Sequence, residues 1–202
     1  MLSHSYKLYV IFAVCLAAGL GLVFLISNNY YPILLVNNQP VSAHEFWAMY
    51  QSAARYYQNV LATYSARMST STPLTNGPTP AELKASVLDQ LIESNLIAGG
   101  LKQELGKSAE AMITERVGKY RANPSLAQAA RALYGLSYAD FEREVLVPQA
   151  QKDILSGRLF LKGQKIEAWL AAAKSAAQVT IFSPQFSWDG KRVIANNANS
   201  GK

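Results

Sequence analysis

The sequence predicts a mainly α-helical protein: a single N-terminal transmembrane helix, then one helical domain whose two ends are joined by a short β pairing. Three observations predict it. Leu8–Ile26 (LYVIFAVCLAAGLGLVFLI) is a run of nineteen residues without charge or proline, and at ~1.5 Å per residue such a helix approaches the ~30 Å hydrocarbon thickness of a bilayer. Beyond it, apolar residues recur at helical spacing in several long segments. Two β-rich runs, Ile33–Val36 and Val179–Phe182, flank all the later helices. A lone strand leaves its backbone groups unpaired, so each is expected to supply the other's partner.

The first element carries its own orientation signal. Lys7 precedes the apolar run, and no acid or base follows until His44 and Glu45. By the positive-inside rule the N-terminus stays in the cytoplasm and the domain lies outside the cytoplasmic membrane, periplasmic or extracellular. Tyr30 and Tyr31 stand where an interfacial aromatic belt would. A cleaved signal peptide is the rival reading, but its apolar core is normally ~7–15 residues and no small-x-small site follows Ile26. The boundaries are therefore residues 1–7 inside, 8–26 across the bilayer, 33–183 as the helical domain and 184–202 as a flexible tail.

Composition narrows the chemistry. The net charge is +6, yet Leu8–Gly157 balances eleven bases against eleven acids, and Arg158–Lys202 has seven bases against two acids. The basic end shows no stretch of glycines interleaved with aromatics, so no nucleic acid is expected. Cys15 is the single cysteine, and His4 and His44 are the two histidines. That leaves no disulfide, no thiolate zinc site and no multi-histidine metal site; no cofactor is expected.

Along the domain, Asn37-Asn38-Gln39-Pro40 reads as a polar turn and exit from the first strand. Ser42 caps the next helix, with Glu45 three residues on. Over His44–Met68, Phe46, Tyr50, Ala53, Tyr57, Val60 and Tyr64 follow 4-3-4-3-4 spacing, and Trp47, Ala54, Leu61 and Met68 widen that face. Ser69–Pro80 is a loop. Ala81–Leu105 carries apolar residues over more than one stripe and is expected to be the most buried helix, its Gly99-Gly100 pair fitting a close crossing or a bend, and Gly106 caps it. Helices follow from Ser108 to Asn123-Pro124, over Leu126–Leu133, over Tyr138–Phe160 with a kink at Pro148, and from Ile166 to about Ala177. Pro184 to Gly190 is turn-like.

No catalytic constellation emerges. Glu142/Glu144 and Glu110/Glu115 sit among alternating charges of helix surfaces, Asn76-Gly77-Pro78 has no lysine–hydroxyl pair after it for phosphate, and His44 falls in a helix's first turn. The aromatic stripe is then either core or a peptide groove. Phe46, Tyr50, Tyr57, Tyr64 and Met68 are the candidate peptide-binding residues, since tyrosine offers large contact area with few rotamers to freeze.

Three segments, in order, resemble a known family. VNNQPVSAHEF, then VLDQLIESNLIAGGLKQELG, then LYGLSYADFEREVLVPQAQKDIL are similar to the N-terminal chaperone domain of SurA-like proteins, over roughly residues 33–160. Single-pass relatives with an anchor and such a domain include PpiD-like and PrsA-like folding factors. The resemblance implies a membrane-anchored, ATP-independent chaperone for unfolded or newly exported polypeptides. It departs after Phe160, where those proteins carry a parvulin-type prolyl-isomerase domain. Here one helix and one strand remain, and no histidine follows His44, so isomerase activity is not expected. A non-catalytic adaptor or structural subunit of an envelope complex is the alternative.

Overall fold

The computed structural model describes residues 4–27, 29–67, 77–121 and 123–196; within 4–27 the side chains described are those of 9–17, 19, 21, 26 and 27. Helix α1 (His4–Ser27) comes first. Among the described residues no helix is long and apolar enough to cross a membrane, so the expected span at Leu8–Ile26 has no support from the fold. Every described side chain of α1 is exposed, Cys15 included.

Strands β1 (Pro32–Val36) and β2 (Gln39–Ser42) form a hairpin. Its two-residue turn is Asn37-Asn38, with φ of 51° and 64°. Asparagine tolerates this left-handed backbone, and the primed turn it allows matches the twist of the flanking strands. The segment expected as an exit from the first strand is thus itself a strand, although Pro40 has no N–H to give a ladder. The sheet order β2-β1-β3 puts β2 on the edge, where proline is tolerated. Strand β3 (Val179–Ile181) pairs antiparallel with β1, Val36 opposite Val179 and Leu34 opposite Ile181. The expected closure of the domain by its two ends is what the sheet shows.

Helix α2 (Ala43–Arg67) leaves the hairpin directly, and Ser42 Oγ accepts from Glu45 N at 3.2 Å. The expected loop at 69–80 lies mostly outside the described residues. Thr79 closes a full capping box with Glu82 at the start of α3 (Pro80–Leu105). Gly106, at φ 54°, ends α3 as expected. Helices α4 (Ser108–Arg121) and α5 (Pro124–Ala129) follow, the latter running into a π-turn at Ala130–Tyr134 that Gly135 stops at φ 67°.

The long helix expected over Tyr138–Phe160 is α6 (Tyr138–Phe141), a π-turn at Glu142–Leu146 and α7 (Val147–Leu161). The widened turn lies just ahead of Pro148, which lacks a backbone donor and crowds the preceding turn. A π-turn is a recognised way to absorb such a break. Helix α8 (Ile166–Ala176) leads into β3.

Three packed clusters run along α3 and α7. The first joins Leu34, Val36, Val41 and Phe46 to Val87, Leu88, Leu91 and Ile92. The second holds Ile97, Leu101, Leu155, Leu159 and Ile166, and the third Val117, Ala130, Phe141, Leu146 and Ala150. Leu91, Ile92, Leu101 and Leu155 are essentially excluded from water, each worth about 1.5–3 kcal/mol of apolar burial. Gly100 takes part in the α3–α8 crossing: a Cβ there would lie 2.6 Å from Cη2 of Trp169, whereas one on Gly99 would meet nothing within 4 Å. A glycine inside a helix costs about 1 kcal/mol against alanine, and only Gly100 has a packing reason for it.

One boundary needs correction. Residues 184–202 were expected to be a flexible tail, but β4 (Phe186–Trp188) and β5 (Val193–Ala195) form an antiparallel hairpin. Phe186 and Val193 are each 7% exposed and belong to the first cluster. Lys174 secures this end: its Nζ lies 2.6 Å from Glu93 and 3.1 Å from Asp89, and 5.9 Å from the Trp188 ring centre. Burial pulls the Lys174 pKa down, but its hydrogen bonds to Glu93 and Asp89 carry it upward overall. Asp89 also sits above its usual range, because burial outweighs the help it gets from Lys174. Residues 197–202 lie outside the described ones.

Candidate functional site

The first two turns of α2 hold the most promising binding surface, because the hairpin and cap fix them firmly. Ala43 N donates to Tyr31 O at 2.9 Å and His44 N to Asn29 O at 2.7 Å, so first-turn donors that an isolated helix leaves open are taken up. From this base Phe46, Trp47 and Tyr50 form an aromatic triangle. Phe46 and Trp47 meet edge to face at 5.1 Å, Trp47 and Tyr50 do so at 5.7 Å, and Phe46 stacks with Tyr50 at 6.2 Å. Lys84 Nζ lies 5.5 Å from the Trp47 ring centre and 5.9 Å from that of Tyr50, both within cation–π range. Phe46 and Trp47 of this triangle, with Tyr31, Ile33, Leu88, Ile181 and Phe186, line a cleft of about 160 Å³.

A second cleft of about 280 Å³ lies on the other side of the same turns. Its apolar part is Ala48, Met49, Leu91 and Pro148, and its rim carries His44, Glu45, Arg143 and Glu144. Arg143 bridges Asp140 at 2.6 Å and Glu144 at 3.2 Å. Glu45 has no such partner among the described residues. Burial, then the charge of Glu144, hold its pKa above the usual glutamate value, and His44 offsets part of this. Ser42 also faces this cleft, but its Oγ serves the helix cap. No hydrogen bond joins Ser42 to His44 among the described residues.

The five candidates are not brought together. Phe46 is 6% exposed and forms the floor of the smaller cleft. Tyr50 is half-buried against the first cluster. Tyr57 is 42% exposed further along α2 and meets Tyr56 at 6.1 Å. Tyr56 in turn stacks on Tyr134 at 5.1 Å. That stretch of α2 is tied to the π-turn at Ala130–Tyr134: Arg55 Nη1 donates to Gly135 O at 3.0 Å, and Asn59 Nδ2 to Ala132 O at 2.9 Å. The Tyr64 side chain and Met68 lie outside the described residues. Lys84 and the sheet residues Ile33 and Ile181 were not foreseen as part of the cleft. Their one sequence signal was the paired β runs, which bring Ile33 and Ile181 to the same end of the sheet.

Comparison with known proteins assigns no family: no protein-family model matches the chain, and no curated protein matches it. The geometry can seat one apolar side chain against aromatic faces, with a cation above them. At about 160 Å³ the smaller cleft is below the size of a typical small-molecule site, which is roughly 300–1,000 Å³.

Proposed function

We propose that the protein is a membrane-anchored, ATP-independent holdase that binds unfolded or newly exported polypeptides outside the cytoplasmic membrane. The observation that carries this reading is the cleft lined by the aromatic and aliphatic side chains of Tyr31, Phe46, Trp47, Ile33, Leu88, Ile181 and Phe186. It offers burial without chemistry, at about 25 cal/mol per Å², which suits a client of loose sequence. The anchor is argued from the sequence of Leu8–Ile26: the run is uncharged, helical throughout, and apolar on every side rather than along one stripe. Such a helix is stable when buried in a large core or in lipid. Lys7 on one side and the uncharged flank on the other support a cytoplasmic N-terminus.

The test uses the full chain in lipid nanodiscs with a chemically unfolded test protein. At equimolar ratio the wild type slows its aggregation and Trp47→Ala does so about tenfold less well, in line with loss of an aromatic contact. Aggregation at the same rate with and without wild-type protein sinks the proposal.

The adaptor reading is favoured by one observation: a recess of this size, floored by a core phenylalanine, fits a single side chain of one folded partner. A photo-crosslinker at Trp47 in native membranes separates the two readings. One dominant adduct favours the adaptor, and a ladder of nascent chains favours the holdase.

A further inference from the structure

At the other end of the sheet, the β1–β2 turn, the middle of α3 and one face of α8 border an open groove of about 420 Å³. Val36, Leu96 and Gly100 are its buried lining, Gly99, Ala172 and Ala176 are small residues nearer its open side, and Trp169 makes one wall. Four carboxamides line it: Asn37, Gln39, Asn95 and Gln103. None of its lining residues is charged.

These carboxamides keep free capacity. Asn37 Oδ1 accepts from Gln178 N at 2.9 Å, and Asn95 Nδ2 donates to Leu91 O at 3.1 Å. Each uses one end of its amide and leaves the other without a partner among the described residues. The side-chain amides of Gln39 and Gln103 make no hydrogen bond among the described residues. Gly99 adds an independent observation. It carries the helix penalty of a glycine, nothing stands within 4 Å of where its Cβ would be, and its bare backbone borders this groove. Packing explains Gly100 and leaves Gly99 without a reason inside the fold.

We propose that this groove binds the main chain of an extended, uncharged polypeptide segment, with the carboxamides hydrogen-bonding its peptide groups and the bare Gly99 leaving room for it. A carboxamide presents both a donor and an acceptor, which matches the N–H and C=O that every residue repeats. Recognition of that kind reads backbone rather than side chains. The neutral lining gives a charged side chain no partner once water is removed. From Asn95 to Gln103 helix α3 rises about 12 Å, which is the length of about four extended residues. This assignment rests on the holdase reading and names the part of an unfolded client that is held.

The experiment uses the full-length chain in nanodiscs and a fluorescein-labelled octapeptide of alanine, valine, serine and threonine, followed by anisotropy. A second probe is the same peptide N-methylated at alternate backbone nitrogens. The wild type is expected to bind the N-methylated peptide about tenfold more weakly, through the loss of backbone donors. Gly99→Leu, filling the groove, is expected to weaken the parent peptide about tenfold, while Tyr120→Ala, exposed on α4 and outside the groove's lining, leaves it unchanged. Equal affinity for the two peptides, no binding of either, or wild-type affinity in a Gly99→Leu protein with unaltered circular dichroism would each overturn the proposal. Should Gly99→Leu not fold, Gln103→Ala takes its place, with an expected loss of about threefold from one hydrogen bond. Aggregation assays on the same samples separate the two ideas. Peptide binding that is lost in Gly99→Leu, without protection of an unfolded protein, upholds the groove and sinks the holdase. Protection with peptide affinity unmoved by Gly99→Leu does the reverse.

Discussion

The adjacent glycines of α3 respond to alanine with opposite signs. At Gly100 the new methyl would lie 2.6 Å from Cη2 of Trp169 and 3.5 Å from Cδ2 of Leu155. Carbon atoms prefer about 3.5–4.0 Å, so roughly 1 Å must come from moving an indole wedged between α3 and α8. Overpacking of this kind costs about 1–3 kcal/mol, and alanine's helix preference returns about 1 kcal/mol. Gly100→Ala therefore loses about 1 kcal/mol net. Gly99→Ala meets no atom and gains up to about 1 kcal/mol. The two variants should differ by about 2 kcal/mol, or about 4–8 °C in melting midpoint for a domain of this size. Urea unfolding of the full chain in detergent, followed by far-ultraviolet circular dichroism, measures the difference provided the denaturant slope is unchanged. Trp169→Phe should restore part of the Gly100→Ala loss, because the two side chains share one space and their effects are coupled. Shifts of the same sign for both glycines would refute the assignment of Gly100, and not Gly99, to the crossing.

Two further perturbations test other parts of the fold. Phe186→Ala should cost about 3 kcal/mol, as for other buried aromatics, and expose Lys174 and its carboxylates to solvent; a loss below about 0.5 kcal/mol, typical of surface positions, would return this hairpin to the status of a tail. Glu45→Gln tests the larger cleft through pH. A carboxyl that holds its proton more tightly when folded destabilises the protein as pH rises from the unfolded value of 4.5 through the higher folded one. The neutral glutamine should therefore unfold at higher urea than wild type at neutral pH, with the gap closing below pH 4.5. A gap independent of pH would show that the cleft does not raise the Glu45 pKa.

Much of the architecture was legible because its signals are local or strictly periodic. The 4-3-4 spacing placed α2 and α3 within a residue or two, and the Ser42, Gly106, Gly135 and Ser137 caps appeared where expected. What escaped depends on neighbours. Pro40 excludes a central strand but not an edge one, and the edge is defined only once β3 has paired. The π-turn at Glu142–Leu146 leaves no compositional mark, so the sequence showed a disturbance at Pro148 without its form. The β4–β5 hairpin had a sign in Asp189-Gly190 between Phe186-Ser-Trp188 and Val193-Ile-Ala195, but three-residue strands barely rise above turn-like surroundings. At the site, helical spacing grouped Phe46, Tyr50 and Tyr57 on one face. That face crosses two different neighbours, the sheet and α3 at one end and the π-turn at Ala130–Tyr134 at the other, so the aromatics are shared between separate surfaces.

The pairing of Val36 with Val179 also sets a clock. At about 5–20 residues per second, synthesis places on the order of 10 s between the appearance of the two strands. Throughout that interval β1 has β2 on one edge and nothing to occupy the other, and the first cluster lacks Phe186 and Val193. The sheet cannot close until Val179–Ile181 has emerged, nor its core fill until Val193 has. A chain stopped short of Val179 would keep an open strand edge, which is a template for pairing with a neighbouring chain.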